Sequence, residues 1–489
     1  MPRPTPQHST NITRRTAIAS AAAPLIAALG TQSAEAQTTR PNIVYIMADD
    51  LGYADVSCYG RREYKTTAID QLAAQGTRFL QAYANSAVCS ATRTALITGR
   101  YQYRLPVGLA EPIGTGATNV GLPPEHPTLP SILRDAGYGT ALIGKWHLGN
   151  LPNYDPMKSG YEHFWGFRDG LLDYFTHKTG AADTDTAGLW DGDVKIQQSG
   201  YLTELLGSKA VELIRDYAVG QKPFFMSLHF NAPHWPWEGP NDEAESRVLR
   251  NVTHYDGGSM ETYAAMVTAM DAQIGRVLQT LETAGIAQNT IVIFTSDNGG
   301  ERFADTWPFS GMKTELLEGG LRIPAIIRWP GHIPAGVTTD QVAISMDWFP
   351  TLLAAGGAKA HPDYPSDGIN LLPILTRETS PVTRTLFWRY NEKAQRAVRS
   401  GDMKFLKIRE NTFLFNVVKD PLERANLRNR QPEVYSQLVQ AFENWNTQML
   451  PETPRPNAGF TGGQLADHFG MDGAPAPGAA KPKPAPPKP

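Results

Sequence analysis

Five short apolar runs, at residues 42–47, 140–143, 224–228, 290–294 and 324–327, punctuate this chain, and none shows the strict polar alternation of a half-solvated strand. Runs of that length and content suit strands buried on both faces. Amphipathic stretches separate them. Residues 203–217 carry Leu205, Leu206, Val211, Leu213 and Ile214 close to one helical stripe. Residues 261–283 carry Met266, Met270, Ile274, Val277, Leu278 and Leu281, ending before Gly285, a residue suited to close a helix. Strands alternating with helices predict an α/β fold: a large domain over residues 40–375 with a mainly parallel central sheet flanked by helices. After residue 373 the character changes. Residues 386–390, 396–399, 404–407 and 413–417 read as short strands at turn-length spacing, followed by a helix from about 432 to 450. They predict a smaller C-terminal subdomain, 376–455, with an antiparallel sheet and a helix.

Both ends read differently. Arg14 and Arg15, an Ala-rich apolar stretch over 17–29 and Ala34-Glu35-Ala36 have the order of a cleaved twin-arginine signal over residues 1–36. That predicts a periplasmic or secreted protein. The apolar stretch is shorter than the about 20 residues a bilayer requires, and no other segment is long and apolar enough, so no membrane span is expected. Residues 456–489 are rich in Pro, Ala and Lys and predict a disordered tail. Lys and Arg number 45 against 48 Asp and Glu, a net charge of −3; so balanced a charge argues against a nucleic-acid binder, and no nucleic-acid partner is expected. Two cysteines, Cys58 and Cys89, exclude a disulfide scaffold and a cysteine-based zinc site.

Ligands of parallel α/β sheets bind beyond the carboxyl ends of the strands, so the residues just past each apolar run are the first candidates. The first run leads into Asp49 and Asp50, the fourth into Asp297 and Asn298. Each pair alone is an ordinary turn. Together they offer three carboxylates and an amide oxygen, an all-oxygen set for a hard divalent cation, Ca²⁺ or Mg²⁺. The second run leads into Gly144-Lys145-Trp146-His147, where Lys145 and His147 point the same way if the segment stays extended. The third leads into Asn231-Ala232-Pro233-His234; His229, inside the strand, reads as a core histidine, and His234 as the site candidate. Lys313, ahead of Glu318-Gly319-Gly320-Leu321-Arg322, adds another cation. Cationic side chains beside a metal make a pocket for a tetrahedral oxyanion, sulfate or phosphate.

Residues 90–98 can form a short helix closed by Gly99, with Cys89 at its N-terminus, where free N–H groups and the dipole favour negative charge. Arg93 returns to the same side one turn later. A buried structural cysteine is the other reading of Cys89.

The motifs Ala48-Asp49-Asp50-Leu51-Gly52-Tyr53, Cys89-Ser90-Ala91-Thr92-Arg93, Gly144-Lys145-Trp146-His147-Leu148-Gly149, Ala232-Pro233-His234, Ser296-Asp297-Asn298-Gly299 and Lys313 with Glu318 to Arg322, in that order, resemble the sulfatase family of the alkaline phosphatase superfamily. The resemblance runs from about residue 40 into the C-terminal subdomain. It implies that a maturase oxidises Cys89 to formylglycine, whose hydrate is the nucleophile, and that Asp49, Asp50, Asp297, Asn298 and residue 89 bind Ca²⁺, ahead of Mg²⁺. One hydroxyl of the hydrate would attack sulfur and displace the alcohol; loss of a proton from the other would then eliminate sulfate and restore the aldehyde. Arg93 would hold the nucleophile, and Lys145, Lys313 and His234 the sulfate oxygens. His234 or Lys313 would protonate the leaving oxygen, with His147 the base for elimination. The family usually has proline and often serine where this chain has Ala91 and Thr92, a departure that bears on the efficiency of conversion.

The implied substrate is a small-molecule or saccharide sulfate ester. Two other readings belong beside it: a phosphodiesterase or phosphonate monoester hydrolase of the same superfamily, and a non-catalytic binder of sulfated glycans. Between residues 160 and 200, Tyr161, His163, Phe164, Trp165, Asp173, Tyr174, His177 and Trp190 could line a substrate cleft or simply pack a core.

Overall fold

A computed structural model of the protein describes residues 40–179, 188–220, 222–248 and 257–452. The segments expected to be an export signal, residues 1–36, and a disordered tail, residues 456–489, lie outside the described residues. The described residues fall in one compact unit that begins at Arg40.

A ten-stranded mixed sheet organises this unit. Its strands, from edge to edge, are Val337–Thr339, Thr77–Phe79, Ala325–Arg328, Thr290–Ser296, Asn42–Ala48, Phe224–His229, Gly139–Lys145, His163–Phe167, Trp190–Asp191 and Val194–Lys195. The five from Thr290–Ser296 to His163–Phe167 run parallel; four of them are apolar runs read from the sequence, and His163–Phe167 is a strand not singled out from it. Side chains of the central strand alternate between two buried layers. Val44 and Ile46 pack with Leu202, Met270 and Ile274 of the helices Leu202–Gly220 and Met260–Thr283. Ile43, Tyr45 and Met47 pack with Leu96, Leu133 and Phe349 of the helices Cys89–Thr98, Leu129–Asp135 and Trp348–Ala355. Both faces are covered, which is why the strand reads as continuously apolar.

One strand departs from the expected direction. Ala325–Arg328 lies antiparallel to Thr290–Ser296. A parallel return needs a crossover helix; the connection here holds only the short helix Glu318–Leu321, and the rest forms loops at the strand ends.

The register of the parallel strands positions the site. Met47 lies level with both Thr295 and His229, and His229 with Gly144, so four strands end at one height. Gly144 has φ +107°, and a Cβ there would fall 1.8 Å from the His229 carbonyl oxygen. Only glycine lets these backbones approach so closely.

The C-terminal residues form the predicted antiparallel sheet, in the order Thr385–Tyr390, Gln395–Ser400, Met403–Ile408 and Asn411–Asn416. The helix Pro432–Asn446 packs against it, ending a few residues before the expected position. Leu386, Trp388 and Phe405 of this sheet share a buried cluster with Val88, Ala91 and Ala95. The sheet thus backs the helix that starts at Cys89. That helix ends at Gly99, at φ +68°, where a side chain would meet the Phe349 ring at 2.4 Å. Among the described residues, no helix is long and apolar enough to cross a membrane.

Candidate active site

The aligned strand ends bring the separated motifs into one buried cluster. Asp49 N–H donates to the Ala232 carbonyl at 3.1 Å and Asp297 N–H to the Ala48 carbonyl at 3.2 Å, tying three loops together. Asp50 adopts a left-handed conformation at φ 61°. There its N–H donates to Asp297 Oδ1 at 3.3 Å, and its Oδ1 accepts from Asn298 Nδ2 at 2.7 Å. Asp49, Asp50, Asp297 and Asn298 are all buried.

Ligand atoms of Asp49, Cys89 and Asp297 lie within 4.8 Å of one another, as do those of Asp49, Asp50 and His234. Asp49 Oδ1 and Asn298 Oδ1 are buried and have no hydrogen-bond partner among the described residues. Buried oxygens are rarely left so. Burial and the neighbouring Asp297 push the Asp49 carboxyl well above its ordinary range. Crowded carboxylates with two oxygens unanswered fit a hard divalent cation, which would satisfy the oxygens and offset the repulsion.

Cationic groups surround the carboxylates. Lys145 Nζ stands 2.5 Å from Asp49 Oδ2, and Lys313 Nζ 2.6 Å from Asp50 Oδ2. Arg93 donates from Nε and Nη2 to Asp297 Oδ2 at 3.1 and 2.8 Å, while Nη1 donates to the Lys145 carbonyl at 3.2 Å. Burial raises the pKa of Asp297, but Arg93 and Lys145 outweigh it and hold the carboxyl low. His234 Nε2 lies 3.5 Å from Asp50 Oδ2. Burial, then Lys313 and Lys145, keep its imidazole neutral.

His147 stands apart from the carboxylates. The extended segment assumed for Lys145 and His147 stops at Lys145, and His147 has φ 55°. The turn sends its ring toward the Cys89 helix from another side: Nε2 is 3.0 Å from the Ile113 carbonyl, and Ile113 N–H donates to Ser90 Oγ at 3.0 Å. Burial, then Lys145, lower its pKa to about 3. Nδ1 has no partner among the described residues.

Glu301 was not singled out from the sequence, although it follows Asp297 and Asn298 closely. It accepts from Trp235 Nε1 at 3.0 Å and lies 3.6 Å from Lys313 Nζ. Reading two residues further past the strand would have found it. Glu318 and Arg322, part of the Lys313 motif, belong elsewhere. Glu318 pairs with Arg322 at 2.7 Å and with Lys404 of the C-terminal sheet at 2.9 Å, and Lys404 also meets Glu423 at 3.0 Å. This buried ionic cluster joins the sheet to the large domain. The aromatic segment is mostly core: Tyr161, Phe164, Trp165 and Tyr174 are buried in the hydrophobic clusters, and His177 is buried too.

A mixed α/β sheet whose strand ends gather buried oxygen ligands able to hold a cation, beside a cationic rim, is what comparisons with known proteins assign to a class of enzyme, the hydrolases of the alkaline phosphatase superfamily. Residues 41–358 match the family model Sulfatase, and residues 312–448 match the model N-sulphoglucosamine sulphohydrolase, C-terminal. N-acetylgalactosamine-6-sulfatase of Rattus norvegicus is 31% identical over 400 residues, covering 78% of this chain and 74% of that protein. Arylsulfatase A of Homo sapiens is 31% identical over 441 residues, covering 83% of each. Among solved structures, Ps i-CgsB in complex with k-i-k-neocarrahexaose superposes with a TM-score of 0.76 at 27% identity, covering 88% of this chain and 98% of that one. The chain belongs to the sulfatase family, and the protein is an enzyme of that class.

Proposed function

We propose that the protein hydrolyses sulfate monoesters, aryl sulfates or sulfated saccharides, with residue 89 as nucleophile. The observation that carries this reading is the convergence of Asp49, Asp297 and Cys89, with Asp49 Oδ1 buried and without a hydrogen-bond partner among the described residues. Asp49, Asp50, Asp297, Asn298 and residue 89 would hold Ca²⁺, which accepts more oxygen ligands in looser geometry than Mg²⁺. When bound, the cation supplies Lewis-acid charge that lowers the pKa of an oxygen nucleophile. Conversion of Cys89 to formylglycine by a maturase supplies that nucleophile as an aldehyde hydrate.

The protein's own residues do the rest. Arg93 anchors Asp297 and lies beside residue 89. Lys145, Lys313 and His234 bind the sulfuryl oxygens and stabilise charge as the ester bond breaks. Of the two candidates for the general acid, His234 is held neutral and Lys313 protonated, so Lys313 gives a proton to the leaving alcohol oxygen. His147, kept neutral by burial and Lys145, takes the proton that frees sulfate from residue 89. In this reading residues 40–375 form the catalytic domain and 376–455 a subdomain that backs the nucleophile helix. The signal expected over residues 1–36 sends the folded enzyme to the periplasm or beyond. A saccharide substrate draws support from Ps i-CgsB, solved with k-i-k-neocarrahexaose.

The test is turnover by the full-length protein, co-expressed with a maturase, on an aryl sulfate, a panel of sulfated saccharides and an aryl phosphodiester. The expected result is release of inorganic sulfate from at least one ester, faster than any phosphodiester cleavage. A phosphodiester preference, or glycan binding by the converted protein with no turnover, overturns the reading.

A further inference from the structure

Arg93, Tyr45, Trp146, Tyr161, Ser227 and His229 line a small internal cavity whose remaining wall is apolar. The space open to the centre of a water molecule is about 20 Å³, above the roughly 10–15 Å³ that one water requires. Tyr161 and Ser227 satisfy each other at 2.8 Å. Tyr45 Oη, Trp146 Nε1 and His229 Nε2 are buried and have no hydrogen-bond partner among the described residues. Three such groups around one cavity of this size call for a shared partner.

The geometry points to a buried water held by Tyr45, Trp146 and His229, which fixes the tautomer of His229 and through it the position of Arg93. The water accepts from Trp146 Nε1–H and His229 Nε2–H and donates to Tyr45 Oη. Trp146 can only donate, so the water must accept there. With its proton on Nε2, His229 turns the lone pair of Nδ1 toward Arg93 Nη1, 3.4 Å away. Nδ1 is also 3.2 Å from the Lys145 carbonyl, but that oxygen already accepts from Nη1. A bond from a guanidinium is charge-assisted and is the stronger of the two choices. Burial and Arg93 keep the imidazole neutral, with a pKa of about 3, so the lone pair persists across the working range.

His229 is therefore a positioning residue. Asp297 holds the Nε and Nη2 side of Arg93, while the Lys145 carbonyl and the water-anchored imidazole hold Nη1.

The water site is independent of the sulfate-ester reading and is tested without turnover. A high-resolution crystal structure of the full chain should show one ordered water within hydrogen-bond distance of all three atoms. Nitrogen NMR of His229 should show Nε2 protonated and Nδ1 bare at neutral pH. A dry cavity or a protonated Nδ1 overturns the assignment. The positioning role, which rests on the sulfate-ester reading, is tested by kinetics. H229F retains bulk but loses both nitrogens; H229N keeps an amide oxygen near the place of Nδ1. H229F should lower kcat roughly tenfold or more with KM little changed, and H229N should recover most of the loss. Equal loss in both variants, or none in either, overturns that role while leaving the water site to the crystal structure.

Discussion

Arg93 donates twice to a single oxygen of Asp297, from Nε at 3.1 Å and Nη2 at 2.8 Å, although 204 residues separate them. Both side chains are buried. The pair links the helix that begins at Cys89 to the strand end that carries Asn298. It also stops the Asp297 charge from standing alone in the interior, where it would be costly.

Replacing Arg93 tests that link. R93A should lower kcat on an aryl sulfate by about 100-fold or more, by analogy with the loss of other preorganised donors. It should also cost about 3–5 kcal/mol of stability, because Asp297 is left without its partner. R93K keeps the charge but not the planar fork, and should restore stability better than rate. Steady-state kinetics and denaturant titration on the same preparations separate the two effects.

Chelation tests the oxygen cluster. Adding EGTA should abolish turnover and lower the melting temperature, and Ca²⁺ should restore both more fully than Mg²⁺. A cation at about 100 times its dissociation constant adds about 2.7 kcal/mol to the folded state. N298A removes an oxygen that has no hydrogen-bond partner among the described residues and should weaken Ca²⁺ binding in calorimetry without unfolding the protein.

Position 89 is checked by mass spectrometry. The tryptic peptide covering residues 79–93 should carry an aldehyde in place of the thiol when the protein is made with a maturase. C89A should have no measurable turnover yet melt close to the wild type, since the side chain is small and already packed among buried neighbours. An intact thiol in fully active enzyme would refute the formylglycine mechanism.

The ionic cluster of Glu318, Lys404 and Glu423 predicts a pH effect on stability rather than on chemistry. Burial raises the Glu318 pKa, but Lys404, Arg322 and Arg399 outweigh it and hold it at about 2, below its ordinary 4.5. A depressed carboxyl stabilises the fold above its unfolded pKa and loses that contribution as pH falls. The stability gap between wild type and E318Q should therefore close from about pH 4.5 to about pH 2. Glu423, raised by burial to about 7, acts in the opposite sense between 4.5 and 7, outside that window. K404M leaves Glu423 without its cation while Glu318 keeps Arg322, so by chemical denaturation at neutral pH it should cost toward the lower end of the about 3–5 kcal/mol that breaking a buried ion pair takes.

Much of this was legible along the chain because the signals are local. The apolar run at 42–47 appears as the strand Asn42–Ala48, and the stripe of residues 261–283 as the helix Met260–Thr283. Gly99 closes the helix that begins at Cys89, as its freedom at positive φ allows. The direction of Ala325–Arg328 was not legible, since a strand's side-chain pattern is the same whichever way it runs. Nor was the turn at His147, where a single positive φ redirects the ring. Glu318 sits in a motif beside Lys313 yet faces the C-terminal sheet, because sequence spacing says nothing about which layer a loop residue meets.

Local pattern alone was enough to determine the alternation of strands and helices, the helix that presents Cys89, and the types of residue at each strand end. Tertiary structure alone decided which charges meet. Lys313 reaches Asp50 across 263 residues and Lys145 reaches Asp49 across 96. Those pairings depend on Met47 lying level with Thr295 and His229. Register of that kind is set by packing both faces of the sheet at once, a property of the assembled core that no single segment carries.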